Sequence, residues 1–145
     1  MHDAKHQPEY FTAYKLDPTP ARHTQWDNSA RPGWNAGKPV AEREQASGRA
    51  EFHKVAAEFL HVVNSTGLCL FVTMCGPNDQ IHEWINAVTG WDMTLKELKK
   101  AGERIGNLRM AFEIREGNNP AKRKVPGRLI GSPPLDAGPH AGFAL

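Results

Sequence analysis

A chain of 145 residues, 39% hydrophobic and 23% charged with a net charge of +2, has the composition of one globular domain with a core of its own. No apolar run approaches the roughly 20 residues needed to span a bilayer. The start, Met1-His2-Asp3-Ala4-Lys5-His6, lacks the apolar stretch of a secretory leader, so no membrane association is expected and a cytoplasmic location is. Basic residues are scattered apart from Lys122-Arg123-Lys124, which reads as a solvated run, and no basic, aromatic-studded stripe suggests a nucleic-acid partner. Cys69 and Cys75 are too few for a four-thiolate metal site, and a disulfide between them is not expected in a reducing compartment.

Residues 1–46 read as an irregular segment. Pro8, Pro18, Pro20, Pro32 and Pro39 interrupt any period, and Asp17-Pro18-Thr19-Pro20 cannot lie inside a helix. Trp26 and Trp34 suggest that this segment lies against something, not that it hangs free. A helical core is expected over 47–117. Phe52, Val55, Ala56, Phe59, Leu60 and Val63 recur at helical spacing behind a Ser47 cap, with an end near Asn64 and Gly67. The apolar run Leu68 to Met74 fits a strand or a short helical turn, and its helical neighbours favour the turn. A second helix opens at Asn78 or Asp79, carries Ile81, Trp84, Ile85 and Val88 on one face, and ends at Gly90. Thr94 and Glu97 form a capping box for a long helix through Leu95, Leu98, Ala101, Ile105, Leu108 and Phe112, ending before Gly117. Residues 118–145, with Pro120, Pro126, Pro133, Pro134 and Pro139, read as an extended tail of the same domain. The fold class is mainly α.

Two clusters carry candidate chemistry: Asp17-Pro18-Thr19-Pro20-Ala21-Arg22-His23-Thr24-Gln25 and Asn64-Ser65-Thr66-Gly67-Leu68-Cys69-Leu70-Phe71. In the second, Gly67 permits a tight backbone approach, and Asn64 can both donate and accept. A helix beginning at Cys69 would favour its thiolate, as a metal ligand requires. The same residues also fit a plain reading, with Gly67 a helix cap and Cys69 a small core residue. Elsewhere, His2 and His6 lie at a terminus, His53 and His61 read as helix-flank residues, and Cys75 as a buried thiol.

Asn64-Ser-Thr-Gly-Leu-Cys69 is similar to the Asp-x-x-Gly-Leu-Cys motif of the tungsten-containing aldehyde:ferredoxin oxidoreductase family. Ile85-Asn86-Ala87-Val88-Thr89-Gly90-Trp91-Asp92, Ala101-Gly102-Glu103-Arg104-Ile105, the Asp17–Gln25 segment and Pro133-Pro134-Leu135-Asp136-Ala137-Gly138-Pro139 resemble that family's C-terminal region in the same order. The resemblance implies a helical C-terminal domain of an enzyme that oxidises aldehydes to carboxylic acids at a tungsten or molybdenum bis-pterin centre. Electrons would pass through a [4Fe–4S] cluster to ferredoxin. It further implies that Asn64, Leu68, Leu70 and Gln25 contact the pterin (tungstopterin or molybdopterin), that Cys69 is a cluster ligand, and that His23 is the catalytic histidine near the metal.

Three departures qualify those expectations. Asn64 stands where the motif has aspartate, so one acceptor oxygen replaces a charged pair. The cluster's other three cysteines and the family's N-terminal β-rich domain have no counterpart in these 145 residues. The family also extends past the proline-rich tail. The chain alone is therefore expected not to hold the cofactor, its partner being the remaining part of the oxidoreductase, whether an N-terminal region or a separate subunit. The alternative is a non-catalytic helical interaction domain, or a gene fragment, that has lost cofactor binding.

Overall fold

The structure is a computed structural model that describes residues 9–19, 22–25, 49–75 and 80–144. Five α-helices appear among them: α1 (Glu9–Leu16), α2 (Arg49–Thr66), α3 (Leu70–Cys75), α4 (Gln80–Thr89) and α5 (Leu95–Arg115). Short 3-10 turns occupy His23–Gln25, Pro120–Lys122 and Gly127–Ile130. The described residues contain no strand, and the tail is pinned by an isolated bridge between Leu135 and Ala141. The architecture is mainly α, as the periodicity predicts. No described helix is long and apolar enough to cross a membrane. The expected caps at Ser47, Asn78 and Asp79, and Trp26 and Trp34, lie outside the described residues.

Helix α1 is the element that the sequence analysis does not anticipate. It fits the proline-free stretch between Pro8 and Pro18, where Tyr10 stacks on Tyr14 one turn later with centroids 5.6 Å apart. Ala13, fully buried, meets Ala56 of α2, so small side chains let the two helices approach. Pro18 ends the helix, and the Asp17 carboxylate accepts from the Thr19 amide at 2.6 Å.

Arg123 differs from its expected solvated role. Its Nη1 donates to the Lys15 and Asp17 carbonyls at 2.9 and 3.0 Å, and its Nη2 pairs with Glu113 of α5 at 2.8 Å. A cation at the C-terminal end of α1 meets carbonyls that have no partner inside the helix, which favours burial of the guanidinium there.

The main core lies between α2, α4 and α5 and is built from Phe59, Leu60, Val62, Val63, Ile81 and Leu98. Helix α2 pairs most extensively with α5, whose Gly102 and Gly106 face it, one helical turn apart. At Gly102 an added Cβ would lie 2.3 Å from the Glu58 carbonyl oxygen, so the backbones meet without a side chain between them. The α4 face differs from the one expected. Ile81 and Ile85 pack inward, whereas Trp84 is 40% and Val88 87% exposed, along a groove of about 500 Å3 that also involves Trp91 and Ile105. Leu108 and Phe112 of α5 likewise face outward.

The α4–α5 connection is held by Asn86, which donates to the Met93 carbonyl at 2.8 Å and accepts from its amide at 2.9 Å. Gly90 and Asp92 adopt φ of +69° and +52°, so the chain turns sharply out of α4. Thr94 then caps α5. Its hydroxyl accepts from the Glu97 amide at 3.3 Å, and the Glu97 carboxylate accepts from the Thr94 amide at 2.8 Å. The Thr94 amide, and the Thr94 hydroxyl that also donates to the Glu97 carboxylate at 2.8 Å, hold that carboxyl below its usual range. Thr94→Ala should lower stability by about 1 kcal/mol while Thr94→Ser leaves it nearly unchanged, as read by urea denaturation.

Candidate cofactor-facing site

The two candidate segments meet at the C-terminal half of α2. The His23–Gln25 turn packs on that helix, and Gln25 is fully buried. Its carbonyl oxygen accepts from Asn64 Nδ2 at 3.0 Å, and its Nε2 lies 3.2 Å from Nδ1 of His61, one turn before Asn64. Arg22 precedes the turn, donating to Thr24 Oγ1 at 2.7 Å and to Asn64 Oδ1 at 3.4 Å. Across the groove between helices, Arg109 of α5 places Nη1 3.1 Å from the same His61 nitrogen and bonds the Thr19 hydroxyl with Nη2. Sequence-distant polar groups thus form one network.

Burial sets the electrostatics of this network. His61 is pushed down to about 4 by burial, then by the charges of Arg109 and Arg22 and by His53. Burial alone pushes His53 down to about 4. Asp17 moves the other way. Burial raises its carboxyl, opposed by the Thr19 amide bond and by Arg109 and Arg22. Asp17, His53 and His61 line a cavity of about 240 Å3 against Gly102 and Gly106.

Beyond Asn64 the helix ends at Gly67, whose φ of +76° reverses the chain. Thr66 donates its hydroxyl to the Val63 carbonyl at 2.7 Å and accepts from the Leu68 amide at 3.4 Å. Leu68 and Leu70 are half-buried and pack on the core, and the Leu70 carbonyl accepts from Thr73 Oγ1 at 2.6 Å. Cys69, between them, is a free thiol with its residue exposed, and His23 is exposed too. Among the six sequence-derived candidates, Gln25 and Asn64 are bonded to each other, Cys69 lies on the exposed loop after Asn64, and Leu68 and Leu70 anchor that loop to the core. His23 opens the turn that carries Gln25.

His61 and Arg109 are site residues that the sequence does not single out. His61 lies one turn before Asn64 on α2, so its side chain falls near that of Asn64, which is the one local signal for it. Nothing local points to Arg109, which lies 48 residues away from His61. Among the described residues no group of three or more His, Cys, Asp or Glu side chains could hold a metal ion. What the site offers is one exposed thiol, one amide oxygen and a glycine turn. That donor set fits one edge of a pterin and a single corner of an iron–sulfur cluster, the rest coming from other residues.

A family model described as "Aldehyde ferredoxin oxidoreductase, domains 2 & 3" matches residues 1–145. The tungsten-containing aldehyde ferredoxin oxidoreductase of Pyrococcus furiosus is 35% identical over 84 residues, which are 58% of this chain and 14% of that protein. The enzymes of the same name from Thermococcus kodakarensis and Pyrococcus abyssi are 33% and 35% identical over 84 and 85 residues, with the same coverage. The match therefore covers only 14% of the length of these relatives. No solved structure matches it. A match along the whole chain places this protein in the aldehyde ferredoxin oxidoreductase family, within the region covered by domains 2 and 3.

Proposed function

We propose that this chain is the helical part of an oxidoreductase that converts aldehydes to carboxylic acids at a tungsten or molybdenum bis-pterin centre, passing electrons through a [4Fe–4S] cluster to ferredoxin in the cytoplasm. The observation that carries the reading is the 3.0 Å bond between Asn64 and Gln25, which joins both family-like segments beside the exposed Cys69. Bound there, the cofactor supplies the redox chemistry, and the protein binds and orients it. Asn64 offers an acceptor oxygen to a ring N–H, and Leu68 and Leu70 hold the loop in place. Cys69 contributes one thiolate. His23, exposed on the turn, carries an imidazole that can hold or deliver a proton. The exposed Trp84, Trp91, Leu108 and Phe112 favour a part that packs against more of the enzyme over a free-standing module.

Metal analysis of the protein purified anaerobically from its own source, with its co-purifying chains, tests the reading. Iron and tungsten or molybdenum should be present, and Cys69→Ala should remove the iron. Full iron in that variant would overturn the assignment of Cys69. The second reading, a helical interaction domain without cofactor, draws on the internal bonding of Gln25 and Asn64. It requires a metal-free protein whose properties ignore Cys69 substitution.

A further inference from the structure

A guanidinium carries donors and no acceptor. Arg109 Nη1 lies 3.1 Å from His61 Nδ1, so that nitrogen presents its lone pair and the ring proton of the neutral imidazole sits on Nε2. Gln25 Nε2 lies 3.2 Å from the same nitrogen, so the glutamine must turn its amino group inward. Its carbonyl then accepts from Asn64 Nδ2 at 3.0 Å. The Asn64 amino group is consumed inward, and its carbonyl oxygen points to the exposed side, where Arg22 Nη2 stands 3.4 Å away. Each step leaves one orientation for the next, because an amide flip anywhere would set donor against donor or acceptor against acceptor. Buried mismatches of that kind cost more than a lost bond.

We propose that Arg109, His61 and Gln25 form a relay that sets the polarity of Asn64, so that position 64 offers a hydrogen-bond acceptor to a ligand rich in ring and amino N–H donors. Where the family motif has a carboxylate, which accepts at either oxygen, an asparagine serves only when its amide is held one way round. His61 and Arg109 are positioning residues and touch no ligand themselves. The ligand class, a pterin, rests on the function proposed above, whereas the relay stands on this chain alone. Around His61 the charged or titratable groups are Arg109 from α5, Arg22 from the turn segment and His53 from α2. Asp17, Lys54 and Glu58, with Glu103 of α5, line the same cavity.

Long-range 15N–1H spectra of the full 145-residue chain read the His61 ring directly. The expected signature is a neutral ring protonated at Nε2 from pH 8 down to about pH 5.5. Protonation at Nδ1, or an ordinary imidazole titration near pH 6.5, overturns the relay. Arg109→Met should release the ring to mixed tautomers and expose the Asn64 amide to solvent exchange, and Arg109→Lys, which still donates, should restore both. Circular dichroism confirms that each variant is folded. In the assembly purified from its source, pterin content, read by fluorescence after oxidation, should fall roughly tenfold in Arg109→Met and recover in Arg109→Lys. Unchanged pterin in Arg109→Met would overturn the ligand half of the proposal. A wild-type assembly with no pterin would overturn the function proposed above and leave the His61 signature intact.

Discussion

Gly102→Ala should be among the most damaging single-methyl changes in this protein. The new Cβ would lie 2.3 Å from the Glu58 carbonyl oxygen, 2.8 Å from its carbon and 3.2 Å from its Cα, all of them backbone atoms inside α2. No rotamer can relieve such a contact, so α2 and α5 must separate. Overpacking of this kind costs about 1–3 kcal/mol and more when the backbone must move. Alanine's better helix propensity returns about 1 kcal/mol. With backbone atoms this close the cost lies at or above the top of that range, so a net loss of about 2 kcal/mol is expected, which for a domain of this size lowers the melting temperature by roughly 4–8 °C. Gly106→Ala is the informative comparison. Its Cβ would meet His61 Nε2 at 3.0 Å and Cδ2 at 3.1 Å, side-chain atoms that can yield slightly. A smaller loss is expected there, together with a disturbed His61 signature. Equal melting temperatures for wild type and Gly102→Ala would mean that the helices do not approach this closely.

Acid should weaken the fold well before the carboxylates titrate. His53 and His61 are both held down to about 4 in the folded protein, against about 6.5 in the unfolded chain. Between those values the unfolded state binds more protons. The contribution of each imidazole is complete above pH 6.5 and is lost as pH falls towards 4. At pH 5 the loss is about 2 kcal/mol for each buried ring, large against a total stability of about 5–15 kcal/mol. Asp17 works in the opposite sense. Its carboxyl is raised above 3.8, so its contribution is complete below that value and is lost as pH rises through the folded one. It offsets part of the histidine loss at the acid end. Urea midpoints measured from pH 7.5 to pH 4.5 should fall steeply below pH 6.5, and His53→Leu should flatten about half of that slope. A midpoint independent of pH would show that these rings are not buried.

The family-like segments were legible because they are short and local, and so were the elements that carry them. Asn64, Gly67 and Cys69 lie within six residues, and the turn they make depends on one glycine at φ +76°. Leu68 and Leu70 anchor that loop as their apolar character suggests. The stabilising partners of the site were not legible. His61 reads as one more helix-flank histidine among seven, because its role depends on Gln25 and Arg109, 36 and 48 residues away. Arg123 reads as solvated for the same reason, its partners lying up to 108 residues away.

The ends of α2 and α4 at Gly67 and Gly90, the α5 capping box and the mainly helical class were determined by the sequence itself. Each depends on hydrogen bonds and steric limits within about four residues, which neighbouring side chains decide before any tertiary contact forms. The tertiary structure alone decided which side of α4 is covered and which polar groups are paired. Trp84 and Val88 sit at helical spacing with Ile81 and Ile85 and still face outward, because the α2–α5 pair leaves their side of α4 uncovered. The proton on His61 and the direction of Asn64 were decided the same way, by an arginine that only the closing of two helices through Gly102 brings within reach.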